Sequence, residues 1–197
     1  MKTLTTSTLL FLLIFSSVHA QDIPDKEQQI NSALQAAPAD QREGATVMGY
    51  SSEGELVVLR EGSNKTICLA DNPNQKGFSA ASYSTELEPF MKRGRELRAE
   101  GKTREEVFEI RGKEVKEGKL NIPVNSTLHI LYGTDATYNA ETKQMENVNY
   151  RYVVYIPWAT AESTGLPLSP MVKGGPWIME PGTHRAHIMI SPPWPEK

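Results

Sequence analysis

The hydrophobic period of this chain switches twice, and that double switch decides what it can fold into. Three short segments, ATVMGYS, ELVVLRE and KTICLAD, fill residues 45–71 and are rich in β-branched and apolar residues. Ser52-Glu53-Gly54 and Gly62-Ser63-Asn64 separate them. This spacing predicts three strands in an antiparallel meander. Between residues 85 and 118 the period becomes helical. Leu87, Phe90, Met91, Gly94 and Leu97 recur at three- and four-residue intervals. TLHILYG and NYRYVVYIPW then return to period two, as two arms of a hairpin around the polar region 139–147. Strands, then helices, then strands again predict an α+β fold. The expected form is one domain over 21–197, with a mainly antiparallel sheet and a helical hairpin packed on one face.

Local signals place the helices. Asp25 can cap a first helix over 25–37, whose Ile30, Ala33, Leu34 and Ala37 share a face before Pro38. Thr85 with Glu88, and Thr103 with Glu106, have the spacing of capping boxes. Gly101-Lys102 joins the two central helices, so they should lie antiparallel. Gly112 falls inside the second of them and costs about 1 kcal/mol relative to alanine. After Trp158 comes a long segment rich in Gly, Pro, Ser and Thr, and long loops in compact domains are often functional. HRAHIMIS then reads as a last strand.

Residues 1–20 read as an export signal. Lys2 precedes the apolar run LLFLLIF, and Val18-His19-Ala20 suits signal peptidase, so cleavage is expected after Ala20. The run is shorter than the roughly 20 residues a membrane span needs. No later stretch is apolar enough to span a bilayer, so the mature chain is expected to be soluble. Cys68 is the one cysteine, which leaves no intrachain disulfide.

Charge narrows the function classes. Ten of the chain's 21 Lys and Arg residues fall between Lys92 and Lys119, interleaved with seven glutamates. Alternating signs mark a solvated helix face. Phe108 is the one aromatic residue there, so the stacking partners of a nucleic-acid surface are missing and no nucleic acid is expected. DNPNQKG, residues 71–77, departs from a calcium loop, because Pro73 stands at its third position and Ser82 at its twelfth. On a regular strand His184 and His187 point to opposite faces, which argues against a shared metal. His129 and His187 could meet only if their strands pair. No metal and no cofactor are expected. No Gly-x-Ser-x-Gly elbow occurs. Ser163 and Glu162 lie in the long loop, and Cys68 has apolar neighbours, which disfavour a reactive thiolate.

The aromatic residues carry a different signal. Tyr155 shares a strand face with Arg151 and Val153. With Trp158 and Trp177 it could floor a cleft, with Arg151, Glu162, Ser163 and His187 as polar contacts. Aromatic walls with few polar groups are common in ligand sites.

ELEPFMKRGRELRAEGKTREEV, ESTGLP and GGPWIMEPGTHRAHIMI together resemble a group of exported bacterial proteins of no assigned activity. The resemblance spans most of residues 21–197. It implies a periplasmic address and brings no catalytic residue. The expected function is non-catalytic binding of a small ligand or an envelope protein. The alternative is an envelope enzyme of the hydrolytic class, with its site under the 159–182 loop; clustering of Glu162, Ser163 and His187 would favour it.

Overall fold

Ile67 and Cys68 are neighbours on one strand and belong to different layers of the protein. Ile67 packs with Leu87 and Phe90, whereas Cys68 packs with Ala33 and Ala37. Alternation along a single strand therefore divides a sheet covered on both faces. The computed structural model describes residues 23–193. Its main sheet has eight strands: β1 (Thr46–Tyr50), β2 (Leu56–Arg60), β3 (Thr66–Leu69), β4 (Phe78–Ser84), β5 (Thr127–Gly133), β8 (Asn149–Tyr155), β9 (Trp177–Met179) and β10 (His187–Ile190). The spatial order is β2-β1-β3-β4-β5-β8-β10-β9. β6 (Thr137–Asn139) and β7 (Gln144–Glu146) form a separate small hairpin. Four helices complete the fold: α1 (Lys26–Leu34), α2 (Glu88–Ala99), α3 (Arg104–Lys116) and the single turn α4 (Ala161–Thr164).

The register carries one continuous row across the sheet. Ile67, Tyr83, Leu128, Val153, Met189 and Trp177 stand side by side on successive strands. The α2–α3 hairpin closes over this row with Leu87 and Phe90, both almost wholly buried. Burying each contributes about 1.5–3 kcal/mol. The next row, Cys68, Ser82, His129 and Tyr152, faces the other way, and α1 covers its Cys68 end. The α+β architecture, with a mostly antiparallel sheet and a helical hairpin on one face, is as the sequence predicts.

Four local expectations need correction. The first three strands are no meander: β3 lies beside β1, parallel to it, and β2 is left at the sheet edge. The 62–64 loop folds back under the start of β1, where the Ser63 and Asn64 amides both donate to the Gly44 carbonyl. A Cβ on Gly62 would sit 2.3 Å from the Thr46 nitrogen, so the crossing needs glycine. Second, α1 ends at Leu34 rather than Ala37. Arg42 donates to the carbonyls of Gln35 and Ala37, and the Tyr150 hydroxyl to that of Gln35, capturing the acceptors that would have extended the helix. Third, Ser84 rather than Thr85 caps the turn before α2, and Glu88 instead accepts from the Tyr83 hydroxyl and Arg95. Fourth, β10 starts at His187, so His184 lies in the preceding turn.

The Thr103–Glu106 capping box and the Asp25 cap form as expected. Among the described residues no helix is long and apolar enough to cross a membrane. The export signal expected at 1–20 lies outside the described residues.

Candidate functional site

Thr103 starts α3 abruptly. Its side chain accepts from the Glu106 amide while Glu106 accepts from the Thr103 amide. This fixes Arg104 on the first turn of α3, at the end of the sheet where β8, β9 and β10 pair. Between that turn and the three strands lies a cleft of about 400 Å³. Arg104, Arg151, Arg185 and His187 supply its polar groups, and Tyr155, Trp177, Met179 and Met189 its apolar wall.

Strand register brings the wall together. His187 stands opposite Tyr155 on β8 and opposite Met179 on β9. Met189 stands opposite Val153 and Trp177. Arg151 lies two residues before Val153 on the same face. Its guanidinium carbon is 4.5 Å from the centre of the Tyr132 ring. Its Nε is shut off from solvent and has no hydrogen-bond acceptor among the described residues. Arg185 differs: both carboxylate oxygens of Glu180 hold its guanidinium, with Nε to Oε2 at 2.6 Å. Among the described residues neither Arg104 nor Arg151 has a carboxylate partner. The cleft therefore carries two uncompensated cations and one neutralised by its own carboxylate.

His187 is buried, and burial holds its imidazole below the usual histidine range. Its Nδ1 lies 2.7 Å from the Arg185 carbonyl. A carbonyl only accepts, so Nδ1 carries the hydrogen and Nε2 keeps its lone pair. The cleft thus offers guanidinium donors, one neutral imidazole acceptor and an aromatic wall. Burial also raises the Tyr155 phenol above its ordinary value, which keeps it protonated at neutral pH.

Four of the seven residues singled out from the sequence, Arg151, Tyr155, Trp177 and His187, meet in this cleft. The other three stand elsewhere. Trp158 lies beyond the end of β8 and faces the C-terminal half of α3, beside His184. Glu162 and Ser163 are exposed on α4. The Ser163 hydroxyl is taken up in the helix cap, accepting from the Thr160 amide at 2.9 Å and donating to the Thr160 carbonyl. Neither residue lines the cleft that holds His187. Sequence reasoning missed Arg104 and Arg185. Arg104 looks like one more charge on a solvated helix, and only the fold shows what it faces.

The histidines stay apart for a different reason than strand alternation. His184 sits in a turn, packed 4.7 Å from the Phe108 ring centre, while His187 is on β10 against Tyr155. His129 does not reach His187, because β8 lies between β5 and β10; it packs on Tyr152 instead. Among the described residues no three His, Cys, Asp or Glu side chains gather in a metal-binding group. The 71–77 segment is a polar turn whose Asp71 accepts from the Ser79 amide, and burial pushes its carboxyl up to about 6.

The chain matches no protein-family model, no curated protein and no solved structure at a significant level.

Proposed function

We propose that this is a non-catalytic exported protein of the bacterial envelope that binds an anionic ligand with an aromatic or apolar body in the α3–β8–β10 cleft. The observation that carries the reading is Arg151. A half-buried guanidinium with an orphaned Nε and no carboxylate partner among the described residues is costly unless something pairs with it. A planar fork of donors fits a carboxylate or phosphate. Tyr155 and Trp177 supply the apolar contact that a small-molecule site requires. The export part of the reading rests on the signal-like first twenty residues and on the resemblance noted above.

The binding test is calorimetric titration with N-acetylphenylalanine and, in parallel, its neutral amide. The acid should bind and the amide should bind at least about tenfold more weakly. Arg151→Ala should abolish the difference. Equal affinity for acid and amide would overturn the reading. N-terminal sequencing of protein secreted with its own leader should find Gln21 first; a retained Met1 would remove the export part.

A further inference from the structure

Two further depressions adjoin the cleft along α3. Arg104 and Arg185 also line a second depression with Glu105, Phe108 and Glu109. Phe108 and Glu109 in turn line a third, of about 390 Å³, with Lys116, Trp158 and His184. The three share walls in sequence along one side of α3, opposite the Glu180–Arg185 turn. From Arg104 to Lys116 α3 rises about 18 Å at roughly 1.5 Å per residue. An extended peptide advances about 3.3 Å per residue, so five or six residues fill that length.

The far end is built as carefully as the near one. Trp158 is 44 % exposed, yet its backbone is held at φ +68°, a region that bulky residues rarely occupy. Hydrogen bonds from the Trp158 amide to the Thr183 carbonyl and from the Gly182 amide to the Ala159 carbonyl hold it there. Strain of this kind persists only where the surroundings over-determine it, and it clusters at binding sites. The indole is set at the groove end, with the Lys116 ammonium 5.7 Å from its ring centre. Beside it, His184 is 3 % exposed and its Nε2 has no partner among the described residues.

We infer that the ligand is an extended peptide of about five or six residues lying along α3, its free C-terminal carboxylate at Arg104 and Arg151 and an apolar side chain on Trp158. The inference rests on the anion cleft proposed above and adds to it the ligand's length, direction and class. Both ends carry cations, and their partners select the polarity. At the far end Lys113 pairs with Glu117 and Lys116 lies over the Trp158 ring, whereas Arg104 and Arg151 have no carboxylate partner among the described residues and take the carboxylate. Glu105 and Glu109 form no ion pair among the described residues and line the middle, which suits a basic residue in the central positions. A polyanionic chain would meet those two glutamates and is disfavoured.

Capture of synthetic pools on the immobilised full chain tests this. The pools are N-acetylated randomised hexapeptides with free C-termini, the same hexapeptides amidated, and tripeptides with free C-termini, each quantified by mass spectrometry. The acid hexapeptides should be retained at least fivefold over both other pools, with Lys or Arg enriched centrally. Trp158→Gly suits the backbone at positive φ and should fold; it should erase the advantage of hexapeptide over tripeptide. Arg151→Ala should erase the advantage of acid over amide. Equal capture of acid tripeptides and hexapeptides, unaffected by Trp158→Gly but lost in Arg151→Ala, would overturn the peptide groove and leave the anion cleft standing. Capture that depends on neither the carboxylate nor Arg151 would overturn both.

Discussion

Gly112 and His184 are in contact: a Cβ built on Gly112 would lie 2.9 Å from the imidazole Nδ1. Gly94 on α2 stands in the same relation to Arg111, whose Nη1 would be 2.8 Å from such a Cβ. Two helical glycines thus open the seam in which a buried histidine and a buried arginine sit. Arg111 donates to the Phe90 carbonyl at 3.2 Å, and its guanidinium carbon lies 4.0 Å from the Phe90 ring centre.

Gly112→Ala should destabilise the protein, although alanine is the better helix former by about 1 kcal/mol. Phe90, Phe108 and Trp158 surround the imidazole, so it has little room to yield. Overpacking of this kind costs about 1–3 kcal/mol. Urea unfolding should show a net loss, and the loss should disappear when Gly112→Ala is made in a His184→Ala background. An equal effect in both backgrounds would show that the ring is not what the Cβ meets.

His184 should make stability fall on the acid side. Burial, then the nearby Arg111 and Arg185 cations, hold its imidazole down to about 4; Glu180 pulls the other way, and Lys116 adds a smaller downward push. A group whose protonation is disfavoured in the fold contributes fully above its unfolded value near 6.5. That contribution is lost as the pH falls towards 4, and the loss is at most about 3 kcal/mol. Unfolding free energies at pH 7 and pH 4.5 should differ less in His184→Gln than in the wild type. An NMR titration should find the His184 ring neutral at pH 5.5.

Cys68 should label slowly in the native state. Its side chain is wholly buried, and burial pushes the thiol up to about 11. The unfolded chain therefore loses this proton first as pH rises, and stability should decline between about pH 9 and 11 by more in the wild type than in Cys68→Ala. A disulfide-exchange reagent should modify it rapidly only in denaturant. Fast native modification at pH 8 would place the thiol at the surface.

Much of the fold was legible because each element carries its own period. The helical hairpin followed from apolar spacing and the Thr103 cap, and the β5–β8 pairing from two strong alternating segments. The position of β3 was not legible. Its sequence is equally good beside β2 or β1, and the choice is made by a loop contact with Gly44 that no local pattern encodes. Alternation put Arg151 and Tyr155 on one face. Trp177 and His187 joined them through the register of β10, which no local pattern encodes either. Glu162 and Ser163 were grouped with the site because they share a loop with it, and closeness in sequence proved a poor guide. Gly112 reads as a helix defect in the sequence and as a packing requirement in the fold, because its partner lies 72 positions away.

The Arg151 side chain gives the most direct test of the anion cleft. In arginine-labelled protein its Nε–H resonance can be assigned by its loss in Arg151→Lys and followed while phenyl phosphate is added. An Nε buried without a partner should start at the field of an unbonded guanidinium. With saturating ligand the Arg151 resonance should shift, slow its exchange with water and do so together with the Trp177 indole N–H, while the Glu180-bound Arg185 resonance moves less. Phenyl phosphate that leaves Arg151 and Trp177 unmoved, at concentrations that shift other residues, would contradict the account.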